Sequence, residues 1–117
     1  MIIGIGTRKG ITKEEVLQAV AAALEDAGLT LSDVSLFASS RLKEHEEGLL
    51  DAVSELGKEI RFLDDDTLNS CDPVSASQAS RFGLKGVSEP AALALSENKK
   101  LVFPKKVYDR VTIAIAE

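Results

Sequence analysis

The first apolar positions of the chain are Ile2, Ile3 and Ile5, a β-branched run ending among glycines, which predicts a buried strand followed at once by a tight turn. Thr12 and Glu15 then stand at capping-box spacing, and Val16, Ala19, Val20, Ala23, Leu24 and Ala27 recur at helical intervals until Gly28. This spacing predicts a helix. After a short connection from Thr30 to Asp33, the residues from Val34 to Ala38 form a second compact apolar run, reached in a way that suits a parallel crossover. Leu42, Leu49, Val53 and Leu56 fit one face of a second helix ended by Gly57, and Ile60 to Leu63 predicts a third strand.

From Asp64 to Lys85 the periodicity fades, leaving short helices as candidates at Thr67 to Asn69 and at Ser75 to Phe82. Ser88 reads as the cap of a later helix, with Glu89 and Pro90 in its first turn, Ala91 to Leu95 carrying it forward and Asn98 ending it. Leu101 to Phe103 and Val111 to Ala116 complete the strands, the last being apolar enough for the sheet interior. Such alternation predicts an α/β protein, a three-layer α/β/α sandwich whose central sheet is largely parallel and becomes mixed where the late strands join.

Composition narrows this picture. A length of 117 residues with 44% hydrophobic content suits one domain spanning residues 1–117, and the scarcity of rings (four Phe, one Tyr, no Trp) leaves its core to Ala, Leu, Val and Ile. A net charge of -5 argues against non-specific nucleic-acid binding. Cys71 and His45 are the only cysteine and histidine, so an internal disulfide and a cluster of soft metal ligands are both excluded, and no cofactor is expected. Asp64 to Asp66 lacks the donor spacing of a calcium loop. The apolar start is too short for a secretory signal, and no stretch approaches the roughly 20 apolar residues of a membrane helix, which makes the cytoplasm the expected location and a membrane an unexpected partner. Association between copies of the chain stays open.

Chemistry concentrates in the first turn, Gly4-Ile5-Gly6-Thr7-Arg8-Lys9-Gly10, between a strand and a capped helix. Glycines let backbone approach a ligand, amides at a helix start favour anions, and Arg8 adds a planar fork suited to carboxylate. The turn is neither a Walker A loop nor a dinucleotide fingerprint. A plain tight turn with Arg8 and Lys9 in solvent explains the same residues. Lys43, Glu46 and Glu47 have the spacing of a surface ion-pair cluster on a helix as well as of a ligand-facing group. Ser39 and Ser77 are hydroxyl donors or ordinary turn residues, and Glu89 is a charged helix start or an acid–base group. Lys99, Lys100, Lys105 and Lys106 form a small basic cluster near the late strands, readable as substrate contacts or as a solvated surface.

Taken in order, Gly4 to Gly10, Leu36-Phe37-Ala38-Ser39 with Lys43 and Glu46 or Glu47, Gly48-Leu49-Leu50, Leu56-Gly57, Ser77, Gly83, the run Gly86 to Leu93, Lys105 or Lys106, and Thr112 to Ala116 resemble successive landmarks of one family. It comprises the C-terminal domain of the cobalamin-biosynthesis protein CbiG and the free-standing protein CobE. The resemblance covers nearly the whole chain. It implies a role in making the corrin ring, where full-length CbiG opens a lactone of cobalt-precorrin-5A and releases acetaldehyde. Any cobalt would then belong to the corrinoid tetrapyrrole substrate. The chain matches only the C-terminal domain, so hydrolase activity of the chain by itself does not follow.

The resemblance therefore implies a substrate-binding set of Gly4, Gly6, Thr7, Arg8, Gly10, Ser39, Lys43, Ser77 and Lys105, with Glu47 and Glu89 as the catalytic candidates. It also leaves room for an assembly module that docks onto separately encoded CbiG regions or another pathway enzyme.

Overall fold

A computed structural model describes residues 1–41, 45–64 and 88–117. Its strands are β1 (Ile2–Thr7), β2 (Leu36–Ser40), β3 (Ile60–Leu63), β4 (Leu101–Tyr108) and β5 (Val111–Ala116), and its helices are α1 (Lys13–Ala27), α2 (Glu47–Glu55) and α3 (Ser88–Leu95). They form one sheet in the order β3-β2-β1-β5-β4. β1 pairs with β2, and β2 with β3, in parallel, whereas β5 lies antiparallel to both β1 and β4. The sheet is mixed, as the late strands predicted.

The two faces differ in thickness because large and small residues alternate along the central strands. Ile3 pairs with Ile115 and Ile5 with Ile113, while Gly4 pairs with Ala114 and Ile2 with Ala116. The isoleucines, with Phe37, meet Val16, Val20 and Ala23 of α1 and Leu49 and Val53 of α2 in the main core. Full burial of each such large side chain is worth about 1.5–3 kcal/mol. On the opposite face α3 brings Ala91 against Ile2 and Ala38, and Ala92 and Leu93 against Ala116. Small residues on both sides let that helix come close: a β-carbon on Gly4 would lie 1.9 Å from the Ser88 carbonyl oxygen. Helices on both faces make the fold an α/β/α sandwich.

α1 begins with the predicted capping box of Thr12 and Glu15 and ends at Gly28 in the left-handed conformation, φ 72. β2 starts two residues later than its apolar run, because Thr30 and Asp33 close a 3₁₀ turn over Leu31–Asp33 and Val34 caps it. α2 starts only at Glu47, with Glu46 in extended backbone as its N-cap. Ser88 is the first residue of α3, and among the described residues its buried hydroxyl has no hydrogen-bond partner, so it does not act as the expected cap. β4 runs through Pro104, and breaks in its register on either side of Phe103 let the edge strand continue. The short helices predicted between Asp64 and Lys85 lie outside the described residues. Among the described residues, no helix is long and apolar enough to cross a membrane.

Side chains tie α1 to the β4–β5 hairpin. Arg110 donates through Nε to Glu15 Oε2 at 2.8 Å and through Nη2 to Glu15 Oε1, and Tyr108 and Lys106 both donate to Asp26 Oδ2, at 2.6 and 2.9 Å. The Arg110 hydrogen bonds hold the Glu15 carboxyl down at about 2, against an ordinary value of 4.5. A carboxyl depressed in the folded state adds stability that is fully present above its unfolded value and lost as pH falls through its folded value. The melting temperatures of the native chain and of Glu15→Gln are therefore expected to converge as pH drops from about 4.5 towards about 2. A gap that stays constant across that window would mean that Glu15 contributes through its shape alone.

Candidate functional site

Parallel pairing brings the C-terminal ends of β1 and β2 to the same rim of the sheet, the position at which open α/β folds usually bind ligands. Past β1 the chain turns through Arg8, Lys9 and Gly10. Backbone bonds set this turn: Arg8 N donates to Arg110 O and Ile11 N to Arg8 O, each at 3.2 Å. Gly10 adopts φ 80, a conformation that a side chain would strain.

α2 rests against the turn. Gly10 N donates to Glu46 Oε1 at 3.1 Å, and a β-carbon on Gly48 would lie 2.2 Å from the Ile11 carbonyl oxygen. Glu47 stands between two residues that touch the loop and is itself exposed. The Glu46 side chain serves the loop amide and makes no capping bond to its own helix. Arg8, Gly10, Glu46 and Glu47 thus share one neighbourhood. Arg8 and Lys9 are exposed, and among the described residues neither has an ion-pair partner.

The remaining candidates lie apart from this cluster or beneath it. Glu89 Oε2 accepts from the Lys105 backbone amide at 3.0 Å, where the register of the edge strand slips between Phe103 and Lys106, and so belongs to the α3 side. Ser39 is fully buried and its hydroxyl donates to the Ile5 carbonyl at 2.6 Å, stitching β2 to β1 below the rim. Gly4 lies under α3, and Gly6 pairs with Thr112. Thr7 is buried, and among the described residues its hydroxyl oxygen is unpaired. Lys43 and Ser77 lie outside the described residues.

The basic cluster of the late strands is divided. Lys99 donates to the Leu93 and Ala94 carbonyls at the end of α3, and Lys106 pairs with Asp26 on α1. Arg41, a residue that the motif reading passes over, follows β2 directly and is exposed at the same rim as Arg8. The parallel pairing of β1 and β2 brings the ends of both strands to that rim, which the spacing along the chain does not show.

The fold and this rim define an α/β sandwich domain whose exposed cations gather at parallel strand ends. More specifically, residues 1–116 match the model of the family described as cobalamin synthesis G C-terminus, and the chain belongs to that family. It is 32% identical over 121 residues to the cobalt-precorrin-5A hydrolase of Priestia megaterium, an alignment covering 99% of this chain and 32% of that protein. The chain spans about a third of the length of the curated relatives it matches. Among solved structures, CobE from the cobalamin (vitamin B12) biosynthetic pathway superposes with a TM-score of 0.80 at 30% identity, covering 97% of this chain and 86% of CobE. The cobalamin biosynthesis protein chiG from Agrobacterium tumefaciens gives a TM-score of 0.77 at 35% identity, with 97% and 94% covered. The chain is therefore a cobalamin-biosynthesis protein homologous to cobalt-precorrin-5A hydrolases.

Proposed function

We propose that the domain binds an anionic cobalt-precorrin intermediate at the strand-end rim, with Arg8 pairing to a ligand carboxylate. The observation that carries this reading is the exposed Arg8, without an ion-pair partner among the described residues, on a turn fixed by hydrogen bonds to Arg110 and Glu46. The planar guanidinium suits pairing with a carboxylate in two parallel bonds. The name of the Priestia megaterium relative supplies the substrate class, cobalt-precorrin-5A.

Within this reading Glu47 is the carboxylate placed to move a proton during lactone opening, because it stands beside the loop that presents Arg8. Glu89 is already engaged with the Lys105 amide and serves better as an anchor between α3 and β4. Titrating cobalt-precorrin-5A into the native chain and into Arg8→Ala tests the proposal. Loss of one charge-assisted pair is expected to weaken binding about tenfold or more, the equivalent of about 1.4 kcal/mol per decade. Equal affinities would remove Arg8 from the site.

A second reading, docking onto the remaining region of a longer hydrolase, is favoured by the edge strand β4, where Val102 and Val107 are 41% and 62% exposed. Co-purification with that region in the absence of any precursor, abolished by Val107→Lys, is the result expected of a docking module.

A further inference from the structure

The loop that carries Arg8 is a four-residue turn from Arg8 to Ile11, closed by Ile11 N donating to Arg8 O at 3.2 Å. Its third residue, Gly10, has φ 80, and among the described residues the non-glycine positions with positive φ are Lys99 and Asp109, so Lys9 is not left-handed. That combination defines a type II turn. Turning over the peptide between Lys9 and Gly10 would give the commoner type I and keep the closing bond, and glycine tolerates either form. The residues of the turn therefore do not decide between the two.

The deciding group comes from α2. Gly10 N donates to Glu46 Oε1 at 3.1 Å, so a turned peptide would lose this bond and set the Lys9 carbonyl oxygen against a carboxylate. Glu46 is the N-cap of α2 but makes no side-chain capping bond, so the helix start does not account for where its carboxylate lies. Nor does it neutralise its surroundings. Glu15, Asp26, Glu55 and Glu59 pair with cations, whereas Glu46 bonds an amide and leaves Arg8 and Lys9 without ion-pair partners among the described residues. Two residues on, the contact of Gly48 with the Ile11 carbonyl seats the first turn of α2 on the loop and keeps Glu46 within reach.

We propose that Glu46 is a positioning residue of the anion site: its carboxylate holds the Lys9–Gly10 peptide in the type II orientation, so that Arg8 is presented from one turn geometry. This assignment rests on the tetrapyrrole reading above. Glu46 acts through Arg8 and does not touch the ligand. A loop ordered beforehand loses less freedom on binding, and one that visits the competent form part of the time binds more weakly by that fraction.

Three substitutions separate reach from charge. Glu46→Gln keeps an acceptor oxygen at the same reach, Glu46→Ala removes it, and Glu46→Asp keeps the charge on a side chain one methylene shorter while placing a favoured N-cap on α2. In the isotope-labelled chain, a strong cross-peak between the Lys9 α-hydrogen and the Gly10 amide hydrogen marks type II. That cross-peak is expected to persist in Glu46→Gln and to weaken in the other two. Titration with cobalt-precorrin-5A is expected to show affinity lower by about three- to tenfold in Glu46→Ala and Glu46→Asp, and within about twofold of native in Glu46→Gln. On an Arg8→Ala background, Glu46→Ala is expected to cause no further loss.

Unchanged or tighter binding by Glu46→Ala would overturn the proposal, the second by showing that the carboxylate competes with the ligand. So would weaker binding with the cross-peak intact, an equal loss on the Arg8→Ala background, or no rescue by Glu46→Gln. In each of these cases a native chain whose binding depends on Arg8 leaves the tetrapyrrole reading standing. Failure of the native chain to bind cobalt-precorrin-5A would remove the reading and the role of Glu46 together.

Discussion

Gly4→Ala is expected to cost the fold about 3 kcal/mol or more and to lower its melting temperature by roughly 10 °C or more, near the upper end for overpacking. The added β-carbon would lie 1.9 Å from the Ser88 carbonyl oxygen and 2.7 Å from the Ala92 amide nitrogen. Both neighbours are backbone, so no rotamer change relieves the contact and α3 must shift as a body. Strand propensity points the other way, since alanine in place of glycine gains about 0.5–1 kcal/mol where there is room. The sign of the change therefore reports the distance between α3 and β1. Thermal unfolding followed by circular dichroism measures it, and a variant as stable as the native chain would show that the helix stands further from the sheet.

Gly48→Ala is the second large effect, and it reaches the candidate site. In a helix this exchange ordinarily gains about 1 kcal/mol. Here the new methyl would lie 2.2 Å from the Ile11 carbonyl oxygen and 2.9 Å from the Thr12 carbonyl carbon. A loss of about 2 kcal/mol is expected instead, as the first turn of α2 is pushed off the loop that carries Arg8. Ser54→Ala, at an exposed position of the same helix, is the matching control and is expected to be neutral or slightly stabilising. Denaturant unfolding of the two variants decides the matter; parallel gains would mean that α2 does not seat on the turn.

Much of the architecture was legible in the chain because local and tertiary preferences agree. Thr12, Glu15 and Gly28 mark the ends of α1 through bonds made within a few residues, and Ile60 to Leu63 is a strand by pattern and in fact. Boundaries moved where a local polar bond competed with the apolar pattern. Thr30 and Asp33 bond to each other and delay β2, and Glu46 spans to Gly10 so that α2 begins after it. The glycine turn could be recognised as a ligand loop or as a tight turn, but its glycines proved to differ in kind. Gly4 makes room for a helix, whereas Gly10 supplies a left-handed turn.

Contacts between distant residues were not legible. The bond from Gly10 to Glu46 joins residues 36 positions apart, and no local signal encodes it. Nor does spacing show that Glu89 reaches a backbone amide on β4. Family membership was legible from the ordered landmarks of the chain, from the glycine turn to the last strand.

Mapping the backbone amide shifts of the isotope-labelled chain during a titration with cobalt-precorrin-5A examines the ligand's position directly. Saturable shifts concentrated at Arg8, Gly10, Arg41 and Glu47 are the predicted outcome. Shifts confined to the α3–β4 side, or none at all at saturating ligand, would contradict binding at the parallel strand ends.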